Sequence, residues 1–96
     1  MSQKVILVIY DIRDDDLRLK VAAFLKRSGF ARIQKSAFSV PYTSALLSEV
    51  EAGLRRLLRE RDRYDVQVYV VPRSSYEERI AMSRGYTPEE GEELLI

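Results

Sequence analysis

Val5-Ile6-Leu7-Val8-Ile9-Tyr10-Asp11-Ile12-Arg13-Asp14-Asp15-Asp16-Leu17-Arg18 is the stretch on which the fold turns. Val5 to Tyr10 are all apolar or aromatic, and four of these six are β-branched. Such a run reads as a strand buried on both faces, not as a half-exposed alternating one. Asp11 is the first ionisable group after this dry segment. A charge buried bare is costly, so Asp11 needs a partner, a cation or water. The chain then passes almost at once into a helix.

Asp14, Asp15 and Asp16 stand where that helix starts, and capping is their favoured reading: aspartate accepts from free N–H groups and complements the positive end of the dipole. Leu17, Val21, Phe24, Leu25 and Ser28 follow on one helical face, and Gly29 ends the helix as a left-handed cap. Arg18 and Lys20 flank the apolar face near the helix start, and so near Asp11. Residues 30–42 are extended in character. They contain no Asn-Gly or Asp-Gly turn, which leaves one long bent strand and two short strands turning near Lys35-Ser36 as equal readings. The spacing of Leu46, Leu47, Val50, Leu54, Leu57 and Leu58 predicts a second helix from about Ser44 to Arg61, with Gly53 inside it. Val66 to Val71 predicts another strand, closed by Pro72. Beyond it, Ser74 to Glu78 suits a helical turn and Arg79 to Arg84 a short strand. The last residues suit a terminal strand or a disordered end, their Leu94-Leu95-Ile96 finish pointing to docking on a partner.

Strand, helix, extended hairpin-like segment, helix, strand is the order of an α+β, ferredoxin-like βαββαβ domain with an extra C-terminal strand or tail. Residues 1–73 form the core domain, and residues 74–96 a short strand and acidic tail for dimer or partner contact. Both helices of such a domain lie on one face of the sheet. Val5, Leu7 and Ile9 point one way, however, and Ile6, Val8 and Tyr10 the other. The uncovered set calls for a second copy, so a sheet-to-sheet homodimer is expected, with Asp11 near the partner's Asp11 at the two-fold axis.

Composition narrows the chemistry. The 96 residues include no cysteine and no histidine, which removes thiolate chemistry, the commonest zinc ligands and the usual neutral-pH proton shuttle. A bound metal must therefore take oxygen ligands, as magnesium, manganese or calcium do. Two carboxylates converging at an axis must share a proton or hold a cation, and an ion held there with open coordination suits phosphodiester hydrolysis. The net charge of +1 conceals an asymmetry: residues 1–73 carry 14 Lys or Arg against 9 Asp or Glu, and residues 74–96 carry 2 against 6. A basic body suits a polyanion, and arginine outnumbers lysine twelve to four, which leans towards phosphate recognition. No apolar run approaches the ~20 residues of a membrane span, and the N-terminus lacks the form of a signal peptide. The expected location is the cytoplasm, with no membrane partner.

Tyr10-Asp11-Ile12, the acidic turn through Asp16, Leu17-Arg18 and Gly29-Phe-Ala-Arg32-Ile33-Gln34-Lys-Ser36-Ala-Phe38 resemble the Cas-two family of CRISPR-associated proteins. The likeness is closest over residues 5–40 and continues as a pattern to about residue 73. It implies a ferredoxin-like homodimer acting in spacer acquisition and antiviral defence. It also implies a magnesium-dependent endonuclease (manganese being the second choice) in which Asp11 is the metal ligand and catalytic residue. Tyr10 would join it in catalysis, Arg18, Lys20 and Arg32 would hold phosphate, and Ser36 and Phe38 would give structural support. Lys20 stands where some members carry a second arginine, and it lacks the bidentate fork. The implied partners are duplex DNA or RNA and the CRISPR integrase, the Cas-one protein. A non-catalytic adaptor that binds duplex DNA and bridges integrase dimers is the competing function. A sheet-face RNA-binding module fits less well, because Lys35-Ser-Ala-Phe38-Ser-Val40 lacks the glycine and paired aromatics of that signature.

Overall fold

The computed structural model describes residues 3–87. Its elements run β1 (Lys4–Ile12), α1 (Asp15–Arg27), β2 (Ala31–Gln34), β3 (Ala37–Pro41), α2 (Ser44–Leu58), β4 (Tyr64–Pro72) and α3 (Arg73–Glu77). The sheet order is β2-β3-β1-β4, with every neighbouring pair antiparallel. This is the expected βαββαβ arrangement, with β1 at the centre because its residues have the greatest need of cover on both sides.

The alternation along β1 divides the molecule. Ile6, Val8, Tyr10 and Ile12 are buried, packed with Leu17, Val21, Ala22 and Leu25 of α1 and Val50 and Leu54 of α2. Cross-strand register carries the same face into Phe38 and Val40 of β3. The opposite, open face holds Val5, Leu7, Ile9 and Asp11. Across from them on β4 stand Val71, Tyr69, Gln67 and Asp65, in the same order.

Residues 30–42 form a hairpin, not a bent strand: Gln34 pairs with Ala37 around a two-residue turn at Lys35 and Ser36. Neither turn residue is left-handed, so the turn is not of the primed kind that matches strand twist unaided. A register shift between Arg32 and Gln34 leaves Ile33 as a bulge, which adds local twist. α2 ends at Leu58, short of the expected Arg61, because Glu60 takes a φ of 60° that no helix continues. Gly53 lies where α1 and α2 meet. A β-carbon there would collide with the Phe24 ring, so the helices approach as closely as they do because position 53 has no side chain.

The expected turn after β4 is present as α3, but the expected strand at Arg79 to Arg84 is not: no strand follows β4 among the described residues. Instead the chain follows its own body. The Tyr76 and Ser39 hydroxyls lie 3.1 Å apart, and Lys35 N–H donates to the Tyr86 hydroxyl at 2.9 Å. Val5, Ala37 and Ser39, all on the open face, are buried. Part of the cover expected from a second copy thus comes from the chain itself. Leu7 is only half-buried, and Ile9 and Tyr69 remain 44% and 45% exposed. The expectation for the final residues lies outside those described.

Asp14 caps α1, accepting from Leu17 N–H at 3.0 Å, and its other oxygen lies 3.2 Å from Arg61. The Leu17 hydrogen bond, joined by the charge of Arg61, holds the Asp14 carboxyl below its ordinary value of 3.8. A depressed carboxyl stabilises the fold above the unfolded value, and the contribution is lost as pH falls through the folded one. Asp14→Ala should therefore melt earlier than wild type at neutral pH, and the gap should close in acid. A gap independent of pH in thermal melts would show that the ionised cap is not its source.

Candidate active site

Strand parity sets the site. Asp11 is exposed at the end of β1 on the open face. Its register partner on β4 is Asp65, so two carboxylates stand side by side within one protomer. Asp65 Oδ2 accepts from Gln67 Nε2 at 3.0 Å, and Gln67 Oε1 in turn accepts from the Tyr69 hydroxyl. These three residues alternate along one face of β4 and are joined by these hydrogen bonds. Asp11 and Asp65 share a concavity of about 300 Å³ with Arg13, Arg63 and Tyr64.

The other residues singled out from sequence lie on the far side of the sheet. Tyr10 is buried and stacks on Phe38, the ring centroids 6.1 Å apart. Phe38 is wholly buried in the core. Arg32 is only 9% exposed. Its guanidinium lies 4.9 Å from the Phe38 ring centroid and donates to the Lys35 carbonyl at 2.9 Å. Arg18 donates to the Ile12 carbonyl at 3.0 Å and pairs with Asp15. Lys20 pairs with Asp16 at 3.2 Å. Ser36 sits in the hairpin turn and its carbonyl accepts from Tyr10 N–H at 3.0 Å.

Asp11 is thus brought together with Asp65, Arg13 and Arg63, and not with Tyr10, Arg18, Lys20, Arg32 or Phe38. Several of them support the strand that carries Asp11: Phe38 packs beneath it against Tyr10, Arg32 lies on the Phe38 ring, and Arg18 ties the Ile12 carbonyl to α1, whereas Lys20 pairs with Asp16 on the helix surface. The sequence did hold one clue to Arg13, which shares strand parity with Asp11. Asp65 and Arg63 depend on the β1–β4 register, and no local pattern reveals it.

The donor set suits a hard divalent cation, which takes oxygen ligands and is commonly held by one or two carboxylates with water completing the shell. Among the described residues no group of three or more His, Cys, Asp or Glu is placed to hold a metal. At this concavity the described residues of one protomer offer two carboxylates, Asp11 and Asp65. No helix among the described residues is long and apolar enough to cross a membrane.

Comparison with known proteins identifies the family. A family model described as CRISPR associated protein Cas2 matches residues 4–79. A protein of Korarchaeum cryptofilum named CRISPR-associated endoribonuclease Cas2 is 55% identical over 62 residues, covering 64% of this chain and 67% of that protein. One of the same name from Aeropyrum pernix is 34% identical over 91 residues, covering 95% and 96%. A Thermoproteus tenax protein named CRISPR-associated endonuclease Cas1/endonuclease Cas2 fusion is 43% identical over 54 residues, which is 56% of this chain and 20% of the fusion.

Proposed function

The chain belongs to the CRISPR associated protein Cas2 family, and from that premise we propose that it is a magnesium-dependent endonuclease acting in CRISPR adaptation. Its active site would form between two copies packed open face to open face. The observation that carries this reading is an exposed Asp11 carboxylate at the rim of an apolar patch. Leu7, Ile9 and Tyr69 make up that patch and keep solvent-facing surface in the single chain. Two such faces brought together would dry the patch and carry one Asp11 from each copy to the seam.

Asp11 would hold the cation, with the partner copy's equivalent carboxylate completing the donor set that one protomer lacks. Magnesium, when bound, supplies Lewis-acid polarisation of the phosphate and stabilises charge that develops in the transition state. The chain has no histidine, and Asp65, beside Asp11 in the register and oriented by Gln67, would accept the proton from the attacking water. Tyr10, Phe38 and Arg32 act from beneath, keeping the end of β1 rigid.

The test is a magnesium titration of nuclease activity. Wild type should cleave RNA or DNA in a magnesium-dependent manner. Asp11→Asn should lose at least about a hundredfold, the scale seen when one group that stabilises transition-state charge is removed. Equal cleavage by both proteins would place the activity elsewhere.

A second reading is favoured by a different observation, the natural joining of Cas1 and Cas2 in the Thermoproteus tenax relative. On that reading the chain is a non-catalytic adaptor, which binds duplex DNA through its arginines and bridges integrase dimers. Wild type and Asp11→Asn would then support spacer integration equally well.

A further inference from the structure

Two arginines with no place in the family motif, Arg13 and Arg63, share a concavity with Asp11. Arg13 lies two residues beyond it, and Arg63 immediately precedes β4. Arg13 N–H donates to the Arg63 carbonyl at 3.3 Å, which ties the two loop ends together. Both line the concavity that holds Asp11 and Asp65. Neither guanidinium makes a hydrogen bond or ion pair among the described residues. Arg18 and Arg32, by contrast, spend theirs on backbone carbonyls, Asp15 and the Phe38 ring.

The backbone at Arg63 adds a second observation. Its φ is 60°, in the left-handed region that glycine enters freely and L side chains adopt reluctantly. Strained backbone of this kind concentrates at functional sites. Here glycine would relieve the strain and remove a cation from the hollow. The charges in the hollow also need that cation: Asp11 and Asp65 would repel an approaching phosphate unless positive groups stood beside them.

We propose that Arg13 and Arg63 grip a backbone phosphate of the nucleic acid and hold it against Asp11, the role that the family motif assigns to Arg18 and Arg32. The inference rests on the nuclease reading above and names the residues through which its substrate is bound. Guanidinium forks match phosphate oxygens in pairs, and the contact is to the backbone and so independent of base sequence.

Binding can be measured without cleavage, in EDTA, by fluorescence anisotropy with a labelled single-stranded RNA and a duplex DNA. Salt should be varied between about 50 and 200 mM. Arg13→Ala and Arg63→Gly should each weaken binding roughly five- to tenfold. Each should also lower the slope of log affinity against log salt by about 0.7 to 0.9, the loss of one phosphate contact. Arg63→Gly should melt no lower than wild type, which separates lost binding from lost folding, and Arg13→Lys should keep the salt slope. If both variants fold and bind with wild-type affinity and slope, the phosphate grip is overturned while the nuclease reading stands. Wild type with no salt-dependent binding to either probe would overturn both.

Discussion

Ile9→Arg should leave a monomer without magnesium-dependent cleavage if, as proposed above, two copies pack open face to open face to form the site. Ile9 is the most exposed apolar residue of β1 and lies two positions from Asp11 on the same face. In a two-fold interface one substitution appears twice. Each copy would bring an arginine into the dry centre of the contact, and a side chain drawn towards Asp11, two positions away on the same face, would neutralise the carboxylate proposed to hold the cation. Taking a charge out of water into such a contact costs several kcal/mol. Two such charges amount to at least ~4 kcal/mol, about a thousandfold in dissociation constant. Sedimentation equilibrium gives the mass against the 11.1 kDa protomer, and a nuclease assay of the same sample gives the activity. A monomer that still cleaved at the wild-type rate would show that one protomer carries a complete site.

Phe38→Ala should be the most damaging core substitution, lowering stability by about 3–5 kcal/mol. At about 4–8 °C per kcal/mol for a domain of this size, the melting temperature should fall by at least ~12 °C. Phe38 is wholly buried, and Tyr10 and Arg32 both rest on its ring, so truncation opens a cavity and loosens two neighbours at once. Phe38→Leu refills most of that space and should recover most of the stability, with wild-type cleavage per folded molecule. Thermal melts and nuclease assays of the two variants separate support from catalysis. A folded but inactive Phe38→Leu would mean that the ring itself takes part in the reaction.

Much of the fold is legible because burial leaves a period in the sequence. The unbroken Val5–Tyr10 run could only be a central strand, and the leucine stripe of α2 could only face a sheet. Gly29 reads correctly as a left-handed cap, with a φ of 93°. Contacts between distant segments are what escape such a reading. Gly53 looks like a costly interruption until the Phe24 ring is seen against it. The hairpin at Lys35-Ser36 lacks a turn signature because a bulge at Ile33 shares the work of reversing the chain. Tyr76 reaches Ser39 on the open face and Tyr86 the hairpin turn at Lys35 through single hydroxyl contacts, which no hydropathy pattern records.

The site is legible to a similar depth. Asp11 stands out because a carboxylate ends a dry strand. Its neighbour Tyr10 is equally prominent in the motif, yet strand alternation alone sends it to the other face. Arg18 and Arg32 have the right chemistry for phosphate, but Arg18 is turned onto the Ile12 carbonyl and Asp15, and Arg32 lies against a core aromatic. Arg63 and Asp65 become neighbours of Asp11 only through the β1–β4 register.

The chain has no cysteine, so a single introduced thiol reports on its own surroundings. Asp11→Cys, treated with an oxidant or a short bismaleimide, tests most directly whether two open faces meet with position 11 at their seam. The expected result is a covalent dimer in high yield, with Glu49→Cys, on the exposed side of α2, remaining monomeric under the same treatment. A monomeric Asp11→Cys beside a cross-linked Glu49→Cys would contradict it, placing the interface on the helical side and Asp11 alone in solvent.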